Sequence, residues 1–294
     1  MKNFLNYNYN LLPEKIYDKD GEKYFFIKEY KIYIMQYDDV DKDIDKITEI
    51  SNNLFSEGLK INTILRNKYG KYVSKYKNKN LILIRVNSIE NDELVYTDIL
   101  KLKNKNKIYE LKKINLIEEW VKEIDLLEKE LLEYNDEYLM IKETFDYCIG
   151  CAENAIQLYK TDGKKQIISL GHFNCPMLDI KNYSNPKLLC NIDFNYELAS
   201  YIKSKFIQKK INYDELYIIL KNCESPNCLY SCLLYPSYYF YLLRKMILEP
   251  ENKQEKDKFI KYGNQIKNYK KLLSFIKNQL RNSKEIQLLD WINE

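Results

Sequence analysis

The chain has 294 residues, of which 45% are hydrophobic and 14% aromatic. It is long enough for one large domain or two lobes, and apolar enough to bury a real core, which excludes wholesale disorder. Lysine and arginine number 47 against 43 aspartate and glutamate residues, so the net charge is only +4, and the two signs are interspersed. We therefore expect no nucleic acid partner, since nucleic-acid-binding chains concentrate their basic residues in a patch or block.

The N-terminal stretch MKNFLNYNYNLLPEK has neither a continuous apolar segment nor a small-residue cleavage site. Nowhere in the sequence do about 18 apolar residues follow one another, which is the length that a membrane-spanning helix needs. We therefore expect neither a signal peptide nor a membrane span, and predict a cytoplasmic protein.

Seven cysteines, an odd number in a chain of this size, predict reduced thiols. Cys148 and Cys151 form a C-x-x-C pair, but the stretch FDYCIGCAENAIQLY has apolar residues at helical spacing. This pattern favours a buried helix face that uses cysteine as a small hydrophobic residue. Cys223, Cys228 and Cys232 lack the C-x-x-C spacing and a nearby histidine, so a zinc site is the weaker alternative for both groups.

Residues 1–87 predict a small lobe of antiparallel strands with one helix. Aromatic and β-branched residues dominate Tyr24–Ile27 and Lys31–Tyr37, as in a hairpin. An amphipathic helix is predicted over Asp41–Glu57, because apolar side chains recur there at helical spacing and Gly58 follows. Strand-like runs come next within residues 61–76 and 80–87.

Residues 88–294 predict a larger, mainly helical lobe. Apolar residues from Ile117 to Tyr134 recur at helical spacing and indicate a long amphipathic helix. Further helices are predicted over residues 138–160, 197–209, 213–221, 228–248 and 254–281, with Pro236 as a candidate start within the fourth. Strands followed by helices predict an α+β fold of two lobes, which is the layout of the protein-kinase-like fold.

Two segments, ISLGHFNCPMLDI (168–180) and LLCNIDFNYELASYI (188–202), match the spacing of the phosphate-transfer loops of that fold. The template is H-x-D-x-x-x-x-N, with a base and a metal ligand, followed one strand later by a metal-binding Asp before Phe. His172, Asn174, Asp179 and Asp193 occupy its polar positions. The residue types at two of these positions are exchanged relative to the template. Asn174 stands at the position of the base, and Asp179 stands at the position of the metal-binding asparagine.

These segments, with the helical tail, resemble the aminoglycoside phosphotransferase and choline kinase group. The stretches AENAIQLY (152–159), YELASYIKSKF (196–206) and LLYPSYYF (233–240) are similar to the YutH-type branch of spore-coat-associated proteins, related to CotS. The resemblance covers most of the chain. It implies ATP and magnesium as cofactors in active members, phosphate transfer to a small hydroxyl compound, and other spore-coat proteins as partners in the mother-cell cytoplasm and the coat.

The resemblance also implies that catalytic loops of this branch are commonly degenerate, and this chain departs in the same direction. Asn174 is neutral and cannot accept a proton as a carboxylate does. Gln36 stands near the position of the phosphate-pairing lysine. Glu49 is either the partner of a cation at that position or a solvated carboxylate on its helix. Lys28 and Lys31 are alternative sources of that cation. No G-x-G-x-x-G occurs in the first lobe.

Asp193 and Asp179 remain as candidate magnesium ligands, although either can instead bond backbone amides at the end of a strand or the start of a turn. His172, the only histidine, is expected to hold the catalytic loop in place. The favoured hypothesis is a pseudokinase that serves as a structural or interaction component associated with the endospore coat. The alternatives are an active ATP- and magnesium-dependent phosphotransferase with an atypical site, and a module that binds ATP without turnover.

Overall fold

The computed structural model describes residues 1–19, 21–38, 43–87, 92–103, 105, 109, 111–132, 139–161, 166–175, 177–280 and 286. The chain divides into two compact units, Met1–Lys112 with Asp179–Leu189, and Lys113–Leu178 with Cys190–Glu294. The boundary predicted at residue 87 falls inside the first unit. Asp179, which the sequence assigned to the C-terminal lobe, also belongs to the first unit. Within the described residues, no helix is long and apolar enough to span a membrane.

The first unit contains one antiparallel sheet and several helices, which confirms the strand-rich character predicted for this part. Its elements are α1 (Lys2–Tyr9), β1 (Ile16–Lys19), β2 (Glu22–Ile27), β3 (Tyr30–Gln36), α2 (Ile44–Ser56), β4 (Thr63–Ile64), β5 (Ser74–Tyr76), β6 (Lys79–Arg85), α3 (Tyr96–Leu102) and α6 (Ile180–Tyr183). The strand order is β1-β2-β3-β6-β4, and β5 also pairs with β6. The first two residues predicted for the helix Asp41–Glu57 lie outside the described residues.

Helices cover both faces of the sheet because its central strand is apolar on both sides. Leu81 and Leu83 of β6 pack in a cluster with Leu5 of α1. The alternate residues of β6, Ile82 and Ile84, pack in a second cluster around α2. Side chains alternate between the two faces of a strand, so β6 reads as a continuous apolar run. The asparagine-rich α1 is not predicted from the sequence, because only its buried side is apolar.

The second unit is mainly helical, as predicted, and contains a two-stranded sheet. Its elements are α4 (Leu116–Leu132), α5 (Leu139–Thr161), β7 (Ile168–His172), β8 (Leu189–Asp193), α7 (Phe194–Ile207), α8 (Tyr213–Lys221), α9 (Pro226–Leu234), α10 (Ser237–Leu248), α11 (Lys253–Gly263) and α12 (Ile266–Gln279). Strand β8 pairs with β7 and begins at Leu189, the last residue assigned to the first unit.

Two helices predicted as single elements are each divided in two. The helix predicted over residues 228–248 breaks between α9 and α10 at Pro236. Proline has no backbone N–H to donate, and it disfavours the helical conformation at the residue before it. The helix predicted over residues 254–281 breaks after Gly263, between α11 and α12. Helical periodicity continues across both breaks, so it reveals neither, but Pro236, a candidate helix start from the sequence, does mark the start of α10.

The cysteine pair of α5 lies on a buried part of that helix, as predicted. The exposed fractions are 3% for Cys148 and 4% for Cys151. Burial raises the pKa of Cys148 well above its usual value and the pKa of Cys151 to about 11. Because metals bind the thiolate, this environment disfavours a metal at the pair. All seven cysteines are free thiols in the structure.

Candidate functional site

His172 ends strand β7 and is held by one carboxylate of helix α7. Its backbone N–H donates to Glu197 Oε2 at 2.9 Å, and its ring Nδ1 lies 2.7 Å from Glu197 Oε1. Both side chains are fully buried. Glu197 thus holds both the backbone and the ring of His172, and the structural role expected for this residue stays a prediction.

Gly171 permits this close approach. A Cβ added there would lie 2.7 Å from the Cγ2 atom of Ile192 and 2.9 Å from Glu197 Oε2. Both distances are shorter than real Cβ contacts, so a larger residue would push β8 or Glu197 away. The glycine therefore belongs to the packing that holds His172.

Asp193 ends strand β8 and begins helix α7 as its N-cap. Its Oδ1 accepts from the backbone N–H and the side-chain Nδ2 of Asn195, both at 2.9 Å, and its Oδ2 accepts from the Tyr159 hydroxyl at 2.6 Å. Only 1% of the residue is exposed. Burial raises the pKa of Asp193, although the three hydrogen bonds act in the opposite direction. The carboxylate therefore joins β8, α7 and α5 through hydrogen bonds to both of its oxygens.

Asn174 is exposed and follows β7 with a φ of 61°. This left-handed backbone region is strained for most residues, but asparagine adopts it more readily than others. The local backbone therefore accommodates asparagine at this position, as it would aspartate. Its amide can form hydrogen bonds but cannot act as a carboxylate base.

A cavity of about 460 Å³ lies beside Asn174, wholly within the second unit. Carboxylates, cations and aromatic rings all contribute to its wall, and its described lining consists of Glu119, Trp120, Lys122, Glu123, Leu126, Phe173, Asn174, Cys175, Tyr196, Tyr235, Ser237, Tyr241 and Arg244. Asn174 is the only predicted site residue among the described residues of this lining. His172 and Asp193 are buried in the β7–β8–α7 packing and are not part of the described lining.

Two stacked rings form one wall of the cavity. Trp120 and Tyr235 stack with centroids 4.4 Å apart and planes inclined by 9°. The Tyr235 hydroxyl donates to Glu123 Oε2 at 2.6 Å. Burial raises the pKa of Glu123 despite this hydrogen bond. The wall therefore combines a rigid aromatic surface with a carboxylate that protonates more readily than an exposed one.

Lys203 of α7 supports this wall from the buried side. Its ammonium donates to the backbone carbonyl of Tyr235 at 2.6 Å and to Ser237 Oγ at 3.3 Å, across the break between α9 and α10. Burial lowers the pKa of Lys203 to about 8. The cation thus compensates for the carbonyl groups left without helical partners at the break.

The predicted residues of the first unit do not form an ion pair on the sheet. Gln36 pairs with Leu81 and shares its side of the strand with Ile34, so it belongs to the face that α1 covers. Glu49 is exposed on α2, which covers the other face. The lysine–glutamate pair of the template is therefore not reproduced by Gln36 and Glu49.

The two alternative lysines of the first unit occupy different places. Lys28 lies in the turn between β2 and β3 with a φ of 53°. The Lys31 ammonium lies 4.4 Å from the ring centroid of Tyr24 and 5.1 Å from that of Tyr33, in cation–π contact with both. Strand alternation puts Lys31 on the α2 face, so it is the better placed of the two alternatives for a cation on that face.

Asp179 also lies in the first unit, where it is the N-cap of the single-turn helix α6. Its Oδ1 accepts from the backbone N–H of Asn182 at 2.8 Å. This is the capping alternative considered for Asp179 from the sequence. The convergence of His172, Asn174, Asp179 and Asp193 on one cleft stays a prediction.

Sequence reasoning missed the residues that hold the motif. Glu197 follows Asp193 by four positions, which is about one helical turn. This spacing puts the two acids on the same side of α7 and could have indicated a second buried carboxylate. Tyr159 and Lys203 carry no such signal, because tyrosine and lysine are abundant throughout the chain.

Comparison with known protein families identifies the class. Residues 2–167, more than half of the chain, match the family described as "Spore coat putative kinase YutH". The chain therefore belongs to this family, which confirms the resemblance identified from the sequence. No match was found among the curated protein sequences.

Solved structures show the same fold. An aminoglycoside phosphotransferase from Alicyclobacillus acidocaldarius has 10% identity and a TM-score of 0.58, with 94% of this chain and 95% of that chain covered. A spectinomycin phosphotransferase, in complex with ADP and spectinomycin, has 10% identity and a TM-score of 0.54, with 90% and 93% covered. An amicoumacin kinase, in complex with AMP-PNP, Ca2+ and Ami, has 11% identity and a TM-score of 0.52, with 88% and 90% covered. At these identities the likeness shows the fold alone, and it confirms the predicted kinase-like fold class.

The first testable prediction concerns Glu197. Glu197→Leu is expected to lower the free energy of unfolding by about 2–4 kcal/mol, because it leaves the buried His172 N–H and ring nitrogen without their acceptors. Glu197→Gln keeps one side-chain oxygen and is expected to cost about half as much. Urea unfolding of both variants measures the difference. A Leu variant as stable as the parent protein would contradict the role assigned to Glu197.

The second testable prediction concerns Lys203 and pH. The folded-state pKa of about 8 lies below the usual 10.5, so between these values the unfolded chain binds more protons than the folded one. The free energy of unfolding of the parent protein, minus that of Lys203→Met, should therefore rise by about 1 kcal/mol per pH unit from pH 8 to 10. Lys221→Met, at an exposed position, is the control and should show no such rise. A flat difference for Lys203→Met contradicts the prediction.

Proposed function

We propose that this member of the spore coat kinase-like family is catalytically degenerate and acts as a structural or interaction component associated with the endospore coat. The proposal rests on the burial and the hydrogen bonds of the Asp193 side chain. Its three hydrogen bonds use both carboxylate oxygens inside the fold, and the residue is 1% exposed. A carboxylate offers about four acceptor sites, and three of them accept hydrogen bonds from Tyr159 and Asn195, which leaves little capacity for a magnesium ion.

The base position supports the same proposal. Asn174 is neutral, and a general base contributes roughly 10²–10⁴-fold to a transfer reaction. The left-handed backbone at this position accommodates asparagine, so the residue fits the local structure without any catalytic role.

The first unit supplies further support. Lys19 pairs with Glu22, so only two residues connect β1 to β2. So short a turn offers no extended loop of backbone amides to cover phosphate groups. On α2, the buried residues are all uncharged: Ile47, Thr48, Ile50, Ser51 and Leu54.

ATP and magnesium are the cofactors that the family resemblance implies, and the described residues fit them poorly. The candidate metal ligands Asp193 and Asp179 both serve as helix N-caps. We therefore derive no catalytic step through a metal. From the family membership we propose the mother-cell cytoplasm and the coat as the location, with other coat proteins as partners.

An active phosphotransferase is the second candidate, and one observation favours it. Glu123 shares the 460 Å³ cavity with Asn174, and burial raises its pKa. A carboxylate with a raised pKa can serve as a general base. In this alternative Glu123, rather than Asn174, would accept the proton of a small hydroxyl compound.

The third testable prediction separates these functions by thermal unfolding with MgATP. A nucleotide at about 100 times its dissociation constant stabilises a protein by roughly 2.7 kcal/mol, which raises Tm by about 5 °C for a chain of this size. The degenerate protein is expected to show no such shift at about 5 mM MgATP. Such a shift in the parent protein would support nucleotide binding, and phosphate release or transfer that Glu123→Gln removes would establish the active alternative.

Restoring variants provide the matched comparison for that experiment. Asn174→Asp alone, and Asn174→Asp with Gln36→Lys, are both expected to remain inactive. The Asp193 carboxylate stays engaged in either variant, and a lysine at position 36 belongs to the face of the sheet that α1 covers. Robust ATP turnover by the parent protein would overturn the proposal.

A further inference from the structure

A groove of about 890 Å³ runs between helices α5 and α12, wholly within the second unit. It contains none of the residues of the motif around His172. On α12 its lining extends from Ile266 to Asn278, which spans about 18 Å at a rise of 1.5 Å per residue. That distance matches five or six residues of extended chain. The groove is therefore long enough for a short peptide segment.

The described lining of this groove is positively charged. Lys267, Lys270 and Lys271 all contribute to it, and their i, i+3, i+4 spacing puts them on one side of α12. No carboxylate occurs among the described lining residues, and α12 itself contains no acidic residue. This concentration of one sign contrasts with the interspersed charges of the rest of the chain.

Apolar groups line the groove beside the lysines. Tyr147 of α5 and Ile266 and Phe275 of α12 all face it. The rings are already engaged, because the Lys270 ammonium lies 4.0 Å from the Tyr147 ring centroid and Tyr213 packs edge-on against Phe275 with centroids 5.3 Å apart. A nucleic-acid site usually offers open aromatic faces on which bases stack. The groove instead suits side chains that alternate acidic and apolar groups.

We propose that this groove docks an acidic, partly apolar peptide segment of a partner protein. Glu or Asp side chains of the segment pair with Lys267, Lys270 and Lys271, and its apolar side chains contact Ile266 and the ring edges. This inference goes beyond the proposed function, since it holds whether or not the chain transfers phosphate. Its test involves no ATP, so the two can fail separately.

The fourth testable prediction uses fluorescence anisotropy with a labelled eight-residue peptide of alternating Glu and Leu. The parent protein is expected to bind it at 50 mM salt, and more weakly at 300 mM as the charges are screened. A matched peptide of alternating Gln and Leu should bind at least about tenfold more weakly. A labelled eight-nucleotide single-stranded DNA tests the other class of anionic partner and should bind more weakly than the acidic peptide.

Charge-matched variants locate the binding. Lys267→Gln with Lys270→Gln and Lys271→Gln should weaken binding of the acidic peptide about tenfold or more. Lys221→Gln with Lys253→Gln and Lys261→Gln removes the same charge from exposed positions outside the described lining and should change affinity less than about twofold.

If the groove triple variant does not melt as the parent does, the exposed pair Lys267→Gln and Lys271→Gln replaces it, with an expected loss of about fivefold. The proposal is overturned by absence of binding, by equal binding of the Gln–Leu peptide, by tighter binding of the DNA, or by equal effects of the groove and control variants.

Discussion

The second unit depends on one buried carboxylate at the joint between a strand and a helix. Asp193 ends β8, caps α7 and accepts a hydrogen bond from the Tyr159 hydroxyl of α5. A single side chain therefore links three elements. One helical turn later, Glu197 holds His172 at the end of β7. The strand passes directly into the helix, and both polar anchors of the motif are thereby fixed within the core. Uncompensated burial of either charge would be costly, which is why every oxygen of the two carboxylates has a partner.

Under the proposed function, this packing gives Asp193 and His172 a structural role that does not depend on a bound metal. Asn174, by contrast, is exposed, and its left-handed backbone suits asparagine. The cavity beside it keeps a stacked aromatic wall and a half-buried Glu123, features that serve ligand binding as well as catalysis. The basic groove along α12 lies outside this frame and offers a separate route to a partner.

The sequence predicted the fold class and most of the elements, because apolar periodicity distinguishes the strands of the first unit from the helices of the second. It missed α1, whose asparagine-rich sequence is apolar only where it meets the sheet, and the helix break after Gly263, although Pro236 did mark the start of α10. Spacing singled out His172 and Asp193, and their role in a site stays a prediction. The sequence could not identify their partners Glu197 and Tyr159, since hydrogen-bond pairing depends on how α5 and α7 pack. For a related reason it could not place Gln36 and Glu49, because only the strand register shows that α1 and α2 lie on opposite faces.

The most direct test of the account is the stability of Asp193→Ala, measured by urea unfolding without nucleotide. A carboxylate that joins β8, α7 and α5 is expected to contribute about 2–4 kcal/mol to the free energy of unfolding, because its loss leaves Tyr159 and the first turn of α7 without their acceptor. A metal ligand kept for catalysis is often neutral or costly for stability, so its removal leaves the fold as stable or more so. A loss of about 2–4 kcal/mol would support the structural role, and an unchanged or increased stability would contradict it.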